Sequence, residues 1–182
     1  MKKKVLFLVA AVLLGFAACA QKSEPRPDRK VLVAYFSATG TTKAVAERIA
    51  AATGGELYAI TPAEPYTPDD LNWNDANSRT TAEMNDPKAR PALAGAMPDV
   101  EGYDVVYLGF PIWWNTAPRP VNSFLEQCDL GGKTVIPFAT SGGSGIANAQ
   151  RELQKAYPEV KWQEGQLLND ATDKEIKAFL AP

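Results

Sequence analysis

The sequence predicts an α/β fold in three layers, with a five-stranded parallel sheet between helices. Three observations predict it. Apolar runs alternate along the chain with segments of helical periodicity, the pattern of a parallel sheet covered on both faces. The runs at 31–36, 105–110 and 134–139 are largely continuous rather than alternating, as in strands buried on both sides. Three of the strand ends lead into unusual loops, and open parallel sheets hold ligands beyond those ends.

Composition bounds the chemistry. The chain has 182 residues, 46% apolar and 22% charged, with a formal charge of −2, so it is an ordinary globular chain without a nucleic-acid footprint. It has no histidine. That excludes Ser-His-Asp and Cys-His nucleophiles as usually built, together with histidine metal sites, and no metal is expected.

The first segment stands apart from the fold. Met1-Lys2-Lys3-Lys4 is basic, Val5 to Ala18 is apolar but short for a bilayer crossing, and Ala17-Ala18-Cys19 closes it with small residues. Residues 1–19 read as a secretory signal peptide. Phe16-Ala17-Ala18-Cys19 also resembles a bacterial lipobox, which implies lipid attachment at Cys19; plain signal cleavage and an uncleaved anchor are the alternatives. A lipidated Cys19 implies an exported, periplasm-facing protein whose membrane contact is the lipid alone. With no twin arginine in the basic region, export precedes folding. Loss of Lys2, Lys3 and Lys4 leaves 16 basic against 21 acidic residues, a side-chain charge of −5. Cys128 is then without an intramolecular disulfide partner, and its helical phase reads as a buried, inert thiol. Residues 20–29, polar with Pro25 and Pro27, read as a tether, and the domain spans residues 30–182.

The elements follow in order. Val31 to Phe36 is the first strand. Val45, Ala46, Ile49 and Ala50 give a helix ended by Gly54-Gly55. Glu56 to Ile60 is a shorter second strand. The irregular, proline-rich stretch from Thr61 to Asp99 reads either as a crossover helix with long loops, Asp69-Asp70 capping a helix to about Met84, or as a flap over a ligand. Val105 to Phe110 is the third strand. Pro118 and Pro120 suit the first turn of a helix whose inward face is Val121, Phe124, Leu125 and Cys128. Thr134 to Ala139 is the fourth strand, with Pro137 expected near its end or at a gap in the ladder. Ile146, Leu153 and Tyr157 mark a helix, and Val160 to Leu168 alternates as an edge strand would. Thr172-Asp173 caps the last helix, with Ile176, Phe179 and Leu180 inward.

Three loops fall at one edge of this sheet. Ser37-Ala38-Thr39-Gly40-Thr41-Thr42 combines hydroxyls with a helix N-terminus, a seat for a phosphate held by neutral donors. It lacks the lysine of a P-loop and the G-x-G-x-x-G of a dinucleotide turn. A hydroxyl-rich cap with no ligand is the plainer alternative. Pro111-Ile112-Trp113-Trp114-Asn115 puts two indoles after a buried strand, to plug the core or to stack on a planar ring; adjacent side chains diverge, so one of them stacks, and Trp114 is favoured. This loop has no glycine, and Asn115 is its residue best able to enter the left-handed region. Thr140-Ser141-Gly142-Gly143-Ser144 opens the next helix and admits close backbone approach, while Ser144 has no histidine to make it a nucleophile. Arg79 and Glu83, spaced i, i+4, read as an exposed ion pair, with contact to a ligand as the alternative.

Taken in order, the Ser37–Thr42 turn, "PIWW" and "TSGGSG" resemble the flavodoxin family over about Lys30 to Pro182, and "YTPDDLNW" and "SRTTAE" resemble its exported bacterial members. The resemblance implies a flavodoxin-like fold with strand order 2-1-3-4-5. It implies FMN, its phosphate on the first loop and its ring between the other two, in a redox protein that is an electron carrier or an FMN-dependent reductase linked to NAD(P)H or a quinone. It implies a redox partner and names none. A charge of −5 is mild for an electron carrier of this family. The competing class is a non-redox binding module for a phosphorylated or aromatic ligand.

Overall fold

The computed structural model describes residues 29–181. The signal peptide, Cys19 and nearly all of the tether lie outside the described residues. The order is β1 Val31–Tyr35, α1 Thr41–Thr53, β2 Glu56–Ala59, α2 Arg79–Asn85, β3 Val105–Pro111, α3 Arg119–Gln127, β4 Thr134–Thr140, α4 Ala147–Ala156, β5 Lys161–Trp162, β6 Gln166–Leu167 and α5 Asp173–Leu180. The sheet runs β2-β1-β3-β4-β5, with β6 also on β4, and the strands pair in parallel. This is the expected 2-1-3-4-5 order.

Two cores explain the continuous apolar runs. Leu32 and Ala34 of β1, and Phe36 just after it, join Val121 and Phe124 of α3 and Leu153 of α4 on one face. Val33 and Tyr35 join Val45, Ile49 of α1 and Ile176 of α5 on the other. A strand with a helix layer on each side has no polar face to alternate. Truncating a fully buried ring such as Phe124 would cost about 3–5 kcal/mol.

The fifth sheet position differs from the single strand expected over 160–168. It is two short pieces with Gln163-Glu164-Gly165 between them. The break faces Pro137, where the fourth strand has no N–H to give. The β5 piece pairs Thr134 and Val135, and the β6 piece pairs Phe138 and Ala139, so the gap falls at Pro137 as expected. Gly165 fits there because a Cβ would stand 2.6 Å from Pro137 O. Its amide turns to the Gln150 side chain (2.8 Å).

The stretch from Thr61 to Asp99 also differs. No helix starts at Asp69-Asp70. The Asp70 carboxylate accepts from Thr67 N and Thr67 Oγ1, both at 2.8 Å, and closes a local turn. Asn72 and Asp75 side chains then accept from the amides of Asn74 and Asn77, a competition that disfavours helix in Asn- and Asp-rich sequence. The helix begins at Arg79, with Ser78 accepting from Thr81 N. Among the described residues, no helix is long and apolar enough to cross a membrane.

Candidate functional site

At the C-terminal edge of the sheet the chain forms an open cavity of about 620 Å³. Ser37, Ala38, Thr39, Thr41 and Thr42 line it from the first loop, Pro111, Ile112, Trp113 and Trp114 from the second, and Thr140, Ser141 and Gly142 from the third. The three loops separated in sequence therefore meet at one site. Gly40, Asn115, Gly143 and Ser144 stand outside its lining.

The first loop is shaped for an anion. Gly40 sits at φ 94°, where a side chain would be strained, and serves as the N-cap of α1. The helical ladder starts with Ala44 N–H donating to Gly40 O (3.0 Å). The amides of Thr41, Thr42 and Lys43 therefore have no intrahelical acceptor, no side chain caps them, and the first turn carries no acid. The Ser37 hydroxyl accepts from Gly40 N (3.1 Å), which sets the turn. The buried Thr42 hydroxyl bonds to Thr140 Oγ1 (2.8 Å) and ties the first loop to the third.

The second loop is a two-residue hairpin. Trp113 N–H donates to Thr116 O (3.0 Å) and Thr116 N–H to Trp113 O (2.9 Å). Trp114 and Asn115 between them have φ 47° and 62°. Asn115 takes the left-handed conformation expected of it, and so does Trp114, where a bulky residue is rare and costs roughly 1–2 kcal/mol. The Asn148 amide of α4 donates to Asn115 O (2.9 Å) and pins the turn. The two indoles part company. Trp113 stands edge-on to Phe36 (5.4 Å, 89°) and to Tyr66 (5.5 Å, 87°) and belongs to the core wall. Trp114 is 44% exposed and free to meet a ligand.

The third loop turns inward on itself. Ser141 Oγ accepts from the amides of Gly143 (3.1 Å) and Ser144 (2.8 Å). Asn169 accepts from Ser141 N (2.7 Å) and donates to Ser141 O.

Four lining residues escaped sequence reasoning: Leu71, Trp73, Thr80 and Asn169. The first three come from the 61–99 stretch, so that stretch forms a wall of the site. Thr80 holds Asp70 O through both N–H (3.1 Å) and hydroxyl (2.6 Å), which fastens the wall to α2. The isolated tryptophan in "LNWND" was the available signal.

Arg79 and Glu83 form an ion pair (2.8 Å), but with side chains 21% and 12% exposed it is half-buried rather than exposed. Neither lines the cavity. The Arg79 guanidinium lies 4.2 Å from the centre of the Tyr66 ring, and the Tyr66 hydroxyl donates to Glu83 (2.5 Å). Burial first, and then this hydrogen bond to a carboxylate, push the Tyr66 phenol well above its ordinary range. Cys128 is buried and free, its thiol pushed up to about 11 by burial, in keeping with an inert core residue.

No residue that lines the cavity is titratable. The site therefore offers hydroxyls, helix-start amides and indole faces, and no acid or base. Such a set can bind and orient; it cannot by itself move protons.

Comparison with known proteins agrees with this architecture. The family model described as flavodoxin matches residues 30–181. A crystal structure assigned as a flavoprotein from Bacteroides eggerthii DSM 20697 is 56% identical, with TM-score 0.81 over 83% of this chain and 95% of that one. Another from Bacteroides uniformis ATCC 8492 is 53% identical, with TM-score 0.82 over 84% and 97%. A flavoprotein in complex with FMN from Lactobacillus acidophilus NCFM shares the fold at 21% identity, with TM-score 0.65 over 84% and 99%. No curated protein matches the chain.

Proposed function

The chain belongs to the flavodoxin family, and from that membership we propose that it is an FMN-binding redox protein of the cell envelope. The observation that carries the reading is the convergence of three loops on one uncharged cavity whose floor is the bare start of α1. Those residues fit FMN. Ser37, Ala38, Thr39, Gly40, Thr41 and Thr42 would hold the phosphate, with hydroxyls, first-turn amides and the helix dipole meeting its two negative charges. Pro111 to Trp114 and Thr140 to Gly142 would border the ring, with Trp114 stacked on it. Bound FMN supplies the oxidation–reduction chemistry; the chain contributes position and an uncharged lining.

The absence of titratable groups at the site supports a protein that leaves electron and proton transfer to the flavin and its partner, whether as a carrier or as a reductase. Cys19 lipidation, export and a single lipid contact with the membrane complete the reading; they rest on the signal-like N-terminus. Cys19→Ala should abolish fatty-acid labelling and release the protein from membranes, and a wild type that takes no label contradicts the anchor.

The protein purified from its own membranes should show flavin absorbance that bleaches on chemical reduction and returns in air. A protein that takes up no flavin, yet binds phosphorylated or aromatic ligands, points instead to a non-redox binding module.

A further inference from the structure

The root of the tether and the mouth of the cavity lie at opposite edges of the sheet. Lys30, where the tether joins the domain, is fixed beside the start of β3. Its N–H donates to Asp104 Oδ2 (3.1 Å), and its carbonyl accepts from Asp104 N (3.0 Å) and Val105 N (3.3 Å). Val31 pairs with Val105, and Val105 with Thr134, so β1, β3 and β4 all begin at this edge. The cavity is lined from the far ends of the same three strands, by Ser37 after β1, Pro111 of β3 and Thr140 of β4. The register from Val105↔Thr134 to Pro111↔Thr140 sets root and mouth about 20 Å apart along the sheet.

The chain between Cys19 and the domain is short. Residues 20–29 reach at most about 35 Å when fully extended. A domain spanning residues 30–182 has a radius of gyration of about 15 Å, equivalent to a sphere of about 19 Å radius with a half-circumference of about 60 Å. To turn the mouth onto a bilayer, a tether rooted at the opposite edge must travel that half-circumference. It falls short by about 25 Å. It can lay the domain on its side, but the mouth then opens parallel to the membrane and about 19 Å above it.

We propose that the anchored protein turns its cavity away from the membrane that holds it, so that its redox partner is a water-soluble molecule and not a quinone resident in that bilayer. This rests on the FMN reading and the lipid anchor given above, and it names the class of partner for that same site. A bilayer quinone keeps its ring within the lipid, and a linker that cannot span two sites leaves their effective concentration near zero.

The test uses the full lipidated chain, loaded with FMN, in vesicles. Asn74→Cys lies beside the lining residue Trp73, and Glu101→Cys lies beside Gly102, which faces Lys30; both positions are exposed and each takes one thiol dye. Cys128 does not compete, being buried with its thiol pushed up to about 11. Energy transfer to an acceptor on the lipid headgroups should be stronger from residue 101 than from residue 74, by roughly twofold or more. In the same vesicles without dye, photoreduced flavin is mixed anaerobically with a short-tailed, water-soluble benzoquinone or with an isoprenoid quinone of the same ring held in the bilayer. Either reaction carries two electrons and two protons from reduced flavin to the quinone, leaving oxidised flavin and the hydroquinone. An insertion of about twenty Gly and Ser residues after Asp28 takes the reach of the tether past the half-circumference. It should narrow the difference between the dyes and speed oxidation by the bilayer quinone roughly tenfold or more, with the rate for the water-soluble quinone unchanged. Transfer from residue 74 as strong as from residue 101 in the wild type overturns the proposal. So does oxidation by the bilayer quinone at one rate for both tether lengths. A wild type without fatty-acid label overturns it through the anchor. One without flavin absorbance overturns the FMN reading, while the dyes still decide the orientation.

Discussion

Helices α1 and α5 lie against each other, joined by Arg48, whose guanidinium donates to Ala171 O and to Asp173 (2.8 Å). They begin in opposite ways. At the start of α5 the Thr172 hydroxyl accepts from Glu175 N (3.3 Å), and the Glu175 carboxylate accepts from Thr172 N and Oγ1, both at 2.7 Å. Asp173 adds a second negative charge at the positive end of the helix. At the start of α1 there is a glycine, no capping side chain and no acid. One chain thus uses full capping chemistry at α5 and none at α1, where the proposed phosphate would supply the missing acceptors. In α5 the protein's own carboxylates occupy the position that a phosphate would take in α1.

That contrast can be broken most sharply by giving α1 the charge that α5 has. Thr41→Asp should cost FMN binding on the order of 4 kcal/mol, through repulsion between the carboxylate and the phosphate. The flavin-free protein should gain about 0.3–1 kcal/mol of stability from the same charge on the helix dipole. Calorimetry with FMN and riboflavin, beside thermal melts, reads both effects, and riboflavin affinity should not move.

A smaller loss is expected from Thr39→Val, which removes one donor from the α1 loop: about 1–3 kcal/mol in FMN binding, with riboflavin unaffected. The reciprocal change at α5, Thr172→Ala, should lower global stability by about 1 kcal/mol. Melting should fall by roughly 2–4 °C, with FMN affinity intact. The Glu175 carboxyl is held below its ordinary value first by the Thr172 side-chain hydrogen bond and then by its backbone amide. A depressed carboxyl contributes stability above its ordinary range and loses it as the pH falls through the folded value, so this contribution should vanish in acid in the wild type and be reduced in Thr172→Ala, which keeps only the hydrogen bond from the backbone amide.

The smallest effect concerns pH at the cavity. With no titratable residue in its lining, FMN affinity should stay level above about pH 6 and decline below it, as the phosphate takes up its second proton. Riboflavin affinity should stay level throughout.

The parts of this contrast were unequally legible in the sequence. Continuous apolar runs marked β1, β3 and β4, and Thr172-Asp173 and Gly54-Gly55 marked helix ends, because these signals are local. The hydroxyls of Ser37 to Thr42 were legible for the same reason. The helix start proposed at Asp69-Asp70 failed because Asp70 found a nearer partner in Thr67. The fifth strand failed as one piece because its partner strand carries Pro137 at the point where Gln163-Glu164-Gly165 passes. Trp73, Leu71, Thr80 and Asn169 were missed because their place at the cavity is set by the fold of a polar stretch and by β6, with no pattern of spacing to reveal it. Trp114 and Trp113 could be ranked only by position; what separates them is the packing of Trp113 on Phe36 and Tyr66.

The uncapped start of α1 is, on the reading proposed above, kept bare for a phosphate. The most direct test is the ratio of FMN to riboflavin affinity of the wild-type protein at neutral pH, measured by calorimetry on one flavin-free preparation. Charge-assisted hydrogen bonds from several amides and hydroxyls should make FMN the tighter ligand by roughly a hundredfold or more. Equal affinities for the two flavins would contradict the claim and leave the bare helix start without a function.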